Sequence, residues 1–334
     1  MKKQRDSWVD STKIVACILV VLGHFFQSMT RINILEDSSL FHWFNTTIYY
    51  FHVPLFFICS GYLYQKYSTV RSFNQWKASM LKKFFALGIP YVVFSLATWL
   101  LKNIFSSSVN LQIGGLGDTL LKNPTAPYWY LYVLFILFAI TLTIQTKIDS
   151  MVLFGISFLC KVLTTLGFST GIYAIDATAA HWFWFVAGMF IAKEIIPFFN
   201  MYTSIISLLI FVIMSIVISN DIFHFIGEGF FMGIIACYSI ICIVYHMPKS
   251  VAQGKIQDFS SKYTMPIFLM HTLFAATLRS FLLKLNLNSS FLHVCLGLLI
   301  SFIGPVIAMI IMEKLHPMDI IVYPNRYIRV KSSK

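Results

Sequence analysis

Charged residues are scarce in this 334-residue chain: they make up 11% of it, against 58% for hydrophobic residues. Soluble domains carry about a quarter charged residues, so the scarcity excludes an ordinary soluble protein and indicates an integral membrane protein. Acidic residues are the rarer sign, with 13 Asp and Glu against 25 Lys and Arg. In a soluble chain that imbalance would favour nucleic-acid binding, and the positions of the basic residues argue against it below.

The motifs of several enzyme classes are also missing. The sequence has no P-loop, G-x-G-x-x-G, H-E-x-x-H or G-x-S-x-G, so nucleotide hydrolysis, Rossmann-type cofactors, zinc proteases and nucleophile elbows lack support. The six cysteines form no C-x-x-C pair and lie in apolar segments, which predicts small buried side chains, with no disulfide and no metal site. No A-x-A cleavage site follows the first apolar run, which is therefore predicted to be a retained helix.

Apolar windows long enough to cross about 30 Å of hydrocarbon recur along the whole sequence. We predict an all-α polytopic integral membrane protein with about ten transmembrane helices, formed by one domain over residues 1–334 with no soluble domain. The predicted spans cover 12–30, 46–64, 82–101, 127–146, 151–169, 181–198, 203–220, 227–247, 262–282 and 292–313. The fifth is the weakest, because Lys161 interrupts it.

Most of the lysines and arginines fall on the side of these spans that holds both chain ends. Cytoplasmic segments of membrane proteins carry this excess, so we predict a multi-pass cell-membrane protein with both termini in the cytoplasm. The basic charge then reflects topology. Membrane lipids are an expected partner, and nucleic acid is not.

The first predicted helix places ionisable residues along one face. Because a helix turns 100° per residue, Lys13 and His24 lie on the same side, roughly 16 Å apart along the axis. Asp10 sits three residues before Lys13, within reach of an ion pair. Lysine alone could anchor a helix end, but ionisable groups at membrane depth usually line a functional cavity, which makes His24 a candidate for chemistry.

Two more histidines fall at membrane depth. His52 begins a stretch in which Pro54 can kink the helix, and its depth matches that of His24, so the two could share a site. His271 lies near the middle of the ninth span, and Arg279 lies further out. For each histidine, a hydrogen-bonded packing role is the competing interpretation.

Charged and aromatic clusters complete the candidates. Lys13, Arg71, Lys82 and Lys83 predict a cationic mouth able to hold phosphates, unless they reflect topology or lipid contact alone. Aromatic runs at 127–130 and 182–184 fit an aromatic belt better than a platform for sugar stacking.

These stretches resemble the acyltransferase-3 family of membrane O-acyltransferases, in the style of bacterial exopolysaccharide or capsule O-acetyltransferases. The similarity lies in five runs: WVDSTK at 8–13 followed by His24, FHVPLFFICSGY at 51–62, KKFFALGIPY at 82–91, YWYL at 128–131 and PIFLMH at 266–271. The family usually has Arg where this chain has Lys13. Lysine keeps the charge but loses the bidentate fork.

The resemblance implies acetyl-CoA as the acyl donor and a hydroxyl of a glycan or lipid-linked saccharide as the acceptor. Its site residues would then be His24 as general base, aided by His52 and His271. The cationic mouth would bind the CoA phosphates. The remaining candidates, assigned to the acceptor, are Trp129, Ser60 and Arg279. Some relatives carry an outer SGNH-type domain that this sequence lacks, so transfer would go straight to the acceptor or through a partner.

Two other classes compete with the enzyme. A transporter or flippase for lipid-linked saccharides would share the many spans, kinked helices and buried histidines, but it would bind no CoA and form no ester. A receptor or scaffold would leave the buried histidines without a use.

Overall fold

The structure is a computed structural model that describes residues 6–68, 70, 72–104, 114–198, 200–247, 254–328 and 330. Within these ranges it is helical and contains no strand. The main helices are α1 (Ser7–Arg31), α2 (Ser39–Tyr49), α3 (His52–Tyr67), α4 (Phe73–Lys83), α5 (Ile89–Ile104), α6 (Trp129–Ile140), α7 (Lys147–Thr165), α8 (Tyr173–Ala192), α9 (Met201–Ser219), α10 (Glu228–His246), α11 (Lys255–Lys284) and α12 (Ser290–Lys314). A π-helical turn, Phe84–Gly88, joins α4 to α5.

The all-α polytopic prediction is confirmed, since the described part of the chain holds eight helices long and apolar enough to cross a membrane. The continuous stretch from α4 to α5 counts as one of them, and the weak fifth window is another, α7. The remaining two of the ten predicted windows correspond to α3 and α6, which are shorter and largely covered by neighbouring helices. A helix inside the bundle need not match the hydrocarbon thickness.

Contacts between helix ends place the start of α1 and the end of α12 on the same side of the bundle. Lys66, near the end of α3, pairs with Asp6 before α1 at 2.7 Å. Lys262 in α11 pairs with Glu313 in α12 at 2.8 Å, and Gln257 donates to the carbonyl of Ser7. We call this side, where α1 begins, the amino face, and the opposite side the distal face.

The second predicted span, 46–64, is wrong as a single helix. The chain breaks between α2 and α3, and Pro54 lies in the first turn of α3. A proline at this position costs little, because the first N–H groups of a helix have no intrahelical acceptor. The break is closed by a side chain: His52 Nδ1 lies 2.6 Å from the carbonyl oxygen of Ile48, in the last turn of α2.

Helices α3 and α8 cross at backbone contact. A Cβ atom added to Gly61 would lie 1.8 Å from the carbonyl oxygen of Phe185, and one added to Gly188 would lie 1.9 Å from that of Ile58. Only glycine fits at both positions. Such close approach is typical of small residues at membrane helix interfaces, and it fixes the spacing of α3 and α8.

The cysteine prediction holds for four of the six residues. Cys17, Cys59, Cys237 and Cys242 are buried, but Cys160 is half-buried and Cys295 is exposed on α12. Exposure on an apolar helix is a lipid-facing position, which sequence pattern alone did not distinguish from the interior. None of the six forms a disulfide within the described part of the chain.

Candidate functional site

A cavity of about 340 Å³ lies inside the helix bundle. This volume falls in the range of about 300–1,000 Å³ that is common for small-molecule sites. It is lined by Val20, His24, Tyr49, Tyr50, His52, Val53, Pro54, Phe56, Pro127, Trp129, Tyr130, Lys161, His181, Trp184, Gly229 and Phe268. Titratable and aromatic side chains therefore share the wall with aliphatic ones.

Two of the three histidines predicted to be catalytic line this cavity, and the third lies beside one of them. His24 and His52 both line it. The ring of His271, on α11, lies with its centroid 5.6 Å from that of His24. Among the described residues His24 has no hydrogen-bond partner, so its ring is available to a ligand. The predicted common depth of His24 and His52 agrees with this placement, while the catalytic roles stay predictions.

His271 is held by backbone carbonyl groups on its own helix. Its Nδ1 lies 3.0 Å from the oxygens of both Ile267 and Phe268. Carbonyl oxygens only accept hydrogen bonds, so Nδ1 carries the proton and Nε2 is left as an acceptor. Nε2 is buried and has no hydrogen-bond partner within the described ranges. The protein thus presents an unused acceptor nitrogen beside His24.

His52 is held in the same way. The bond of its Nδ1 to the Ile48 carbonyl makes Nδ1 the donor and Nε2 the acceptor. The ring of Tyr49 meets that of His52 edge-on, with centroids 4.6 Å apart. Two of the three imidazoles therefore have their tautomer and orientation set by the protein, and His24 is the one left without such a bond.

The predicted cationic mouth is only partly assembled. Lys13 is half-buried on α1 and lies within electrostatic range of Lys83, whose ammonium sits 4.0 Å from the centre of the Phe138 ring. Lys82 is exposed and, one position earlier on the helix, points about 100° away from Lys83. Arg71 lies outside the described residues. Lys13 and Lys83 are thus the two predicted phosphate contacts that the structure brings together.

The predicted acceptor residues occupy different places. Trp129 lines the cavity. Ser60 is buried behind its wall, where its hydroxyl lies 2.9 Å from that of Tyr130. Arg279 does not line the cavity; its guanidinium donates to the hydroxyl of Ser28 on α1 at 2.8 Å, which ties α11 to α1 near the distal face.

The belt interpretation of the aromatic runs is wrong for three of their residues. Tyr128, Tyr130 and Trp184 are buried inside the bundle, and Trp129 and Trp184 line the cavity. Belt residues would face the lipid headgroups. The rings of Trp129, Tyr130 and Trp184 instead form part of the cavity wall, where stacking on a flat ligand is possible.

The sequence analysis missed two basic residues of the cavity, His181 and Lys161. His181 was not among the predicted site residues, and Lys161 was predicted only to interrupt the fifth span. Both line the cavity. The sequence did contain a signal for Lys161. An ammonium group within a membrane span is costly and almost always faces the bundle interior or a water-filled cavity.

The described ranges contain no preformed metal site. No three His, Cys, Asp or Glu side chains there are close enough to hold a metal ion. The histidines of the cavity are accompanied by lysine and aromatic side chains instead of carboxylates.

The described part of the chain is thus a polytopic helical bundle whose interior holds histidines around a small cavity. The comparisons with known proteins identify its class. The chain belongs to the acyltransferase-3 family, whose model, described as an acyltransferase domain, matches residues 6–310.

One relative is similar over part of the chain. Nodulation protein NolL of Mesorhizobium japonicum is 30% identical to this chain over 148 residues. The alignment covers 42% of this chain and 36% of NolL, so the match spans about a third of that relative's length. No solved structure matches the chain significantly.

Proposed function

We propose that this protein transfers an acyl group, acetyl in the simplest case, from cytoplasmic acyl-CoA to a hydroxyl of an extracytoplasmic or lipid-linked glycan. The observation that carries the proposal is the position of His24. It lines the cavity, lies beside His271 and shares a helix face with Lys13, roughly 16 Å away.

His24 is the proposed general base. The acceptor hydroxyl is a weak nucleophile, so His24 takes its proton as the oxygen attacks the thioester carbonyl carbon. The carbon–sulfur bond then breaks, an oxygen ester remains on the glycan, and the CoA thiolate leaves and takes up the proton. His52 and His271, whose tautomers are set by backbone carbonyls, hold the position of the reacting groups.

The donor is proposed to enter from the amino face. Lys13 and Lys83 lie on that side of the cavity and supply positive charge for the CoA phosphates as point charges. The pantetheine arm would follow α1 and end with its thioester beside His24. The excess of lysine and arginine on one side of the predicted spans supports a cytoplasmic amino face, with both chain ends in the cytoplasm.

Transfer and orientation can be tested in one vesicle experiment. Inverted membrane vesicles containing the protein and its glycan acceptor should incorporate the acetyl group of added labelled acetyl-CoA, because their cytoplasmic face is outside. Right-side-out vesicles should not. Mass spectrometry identifies the ester. No ester in either preparation, with altered glycan transport instead, would favour the flippase alternative, and an ester in right-side-out vesicles alone would reverse the orientation.

Donor binding should depend on the charge of Lys13. Lys13→Ala is expected to weaken acetyl-CoA binding about tenfold or more, since a charge-assisted contact to phosphate is lost. Lys13→Arg should bind at least as tightly as wild type, because it keeps the charge and adds the bidentate fork. Calorimetry in detergent measures both. Lys122→Ala, an exposed lysine between α5 and α6, is the control. Equal affinity of wild type and Lys13→Ala for acetyl-CoA would show that the donor does not bind at Lys13.

A further inference from the structure

Helix α7 contributes one charged side chain to the cavity. Most of its side chains are exposed on the outside of the bundle, and α7 is the least buried of the eight long helices. Lys161, which is half-buried, is its residue that lines the cavity. Its ammonium lies 5.8 Å from the centre of the Trp184 ring and 5.4 Å from that of Phe230. A cation is therefore held over aromatic rings inside the membrane-embedded part of the protein.

No carboxylate of the described residues pairs with Lys161. None of the residues that line the cavity is acidic. Glu228 begins α10 next to cavity residue Gly229, but its carboxylate is engaged by His224 at 2.9 Å. An ammonium at membrane depth is costly unless it is paired or functional. The interior of the cavity thus has an excess of positive charge for a ligand to neutralise.

His181 provides a second, independent observation. It lines the same cavity, and its ring is stacked on Phe57 with centroids 4.8 Å apart and lies 5.2 Å from that of Trp129. Its Nδ1 is buried and has no hydrogen-bond partner among the described residues. Buried polar atoms are nearly always satisfied, so an unsatisfied one that lines a cavity indicates a missing partner.

We propose that Lys161 and His181 form an anion subsite, and that the acceptor glycan carries a carboxylate or phosphate group which this subsite binds. The ammonium supplies the charge, the imidazole supplies a hydrogen bond, and Trp129 offers a face for the sugar ring. The assignment of the ligand as the acceptor rests on the proposed function, whereas anion binding itself does not require acyl transfer.

Binding of three small probes to the purified full chain tests this subsite. The probes are methyl glucuronoside, which carries a carboxylate, glucose 1-phosphate, and the neutral methyl glucoside. Wild type should bind at least one anionic probe about tenfold more tightly than the neutral one, as expected for a charge pair shielded from water. Lys161→Gln should reduce the difference to within about twofold, and Lys161→Arg should retain most of it. The tighter anionic probe identifies the acid.

The controls separate a local effect from a general one. Lys122→Gln makes the same change of charge at an exposed position outside the cavity and should bind like wild type. Lys161→Met replaces Lys161→Gln if the latter fails to elute as a folded protein. The proposal is overturned if wild type shows no preference for either anionic probe, including no detectable binding, or if the preference survives loss of the Lys161 charge. Anion binding without acyl transfer would instead refute the proposed function alone.

Discussion

Replacing His24 by alanine is expected to lower the rate of acyl transfer about 10²–10⁴-fold in a protein that still folds and inserts. That loss corresponds to roughly 3–5 kcal/mol of barrier. The reason is positional: His24 lines the cavity, and its ring lacks a structural hydrogen bond within the described part of the chain. The assay is acetyl incorporation into the glycan, normalised to folded protein by gel filtration.

Two further variants distinguish chemistry from structure. His24→Gln keeps the capacity for hydrogen bonds without basicity, and it should be as inactive as His24→Ala. His42→Gln changes an exposed histidine on α2 that pairs with Asp37, and its activity should match wild type. A folded His24→Gln protein with near-normal acetylation would show that His24 is not the base. A purely structural histidine would lower yield or stability and leave the activity per folded molecule intact.

Substituting Gly188 by alanine is expected to destabilise the bundle by about 3 kcal/mol or more, above the usual range for an overpacked site. The added Cβ would lie 1.9 Å from the Ile58 carbonyl oxygen and 2.8 Å from the Tyr62 nitrogen. Both are backbone atoms, so no side-chain rotation relieves the clash, and α3 and α8 must separate. Thermal unfolding in detergent, followed by gel filtration, should show a lower midpoint and a lower yield of folded protein.

A matched substitution isolates the steric effect. Gly155 also lies in a helix, α7, but a Cβ there would meet nothing within 4 Å. Gly155→Ala should therefore be neutral or slightly stabilising, by up to about 1 kcal/mol, because alanine favours the helix. An unchanged midpoint for Gly188→Ala would mean that the two helices are not held at this distance.

The sequence predicts where the helices lie better than it predicts which helices pack against each other. Hydropathy located a helix in every predicted window, and the 100° rotation per residue placed Lys13 and His24 on one face. The break between α2 and α3 was missed, because Pro54 fits a kinked helix and a helix start equally well until the His52 bond to Ile48 is known. Periodicity describes one helix at a time.

The same limit explains why the sequence did not identify Lys161 as a cavity residue. Arg279 has an intramembrane position like that of Lys161, yet it bonds to Ser28 on a neighbouring helix, whereas Lys161 enters the cavity. Which of two buried cations faces a ligand depends on the rotation and crossing of helices far apart in sequence. Rotation and crossing are set by packing between helices, such as the close contact of Gly61 in α3 with Phe185 in α8. The pattern of a single helix does not show such a contact.

The carbonyl bonds of His52 and His271 have an entropic consequence. An imidazole free to rotate must be ordered in each catalytic cycle, and immobilising a side chain costs about 0.5–1.5 kcal/mol. Here the ordering takes place once, when the helices fold and the Nδ1 protons meet their carbonyl oxygens. In the proposed reaction the two rings would therefore form a rigid, already polarised environment for the reacting groups, with little reorganisation as charge moves.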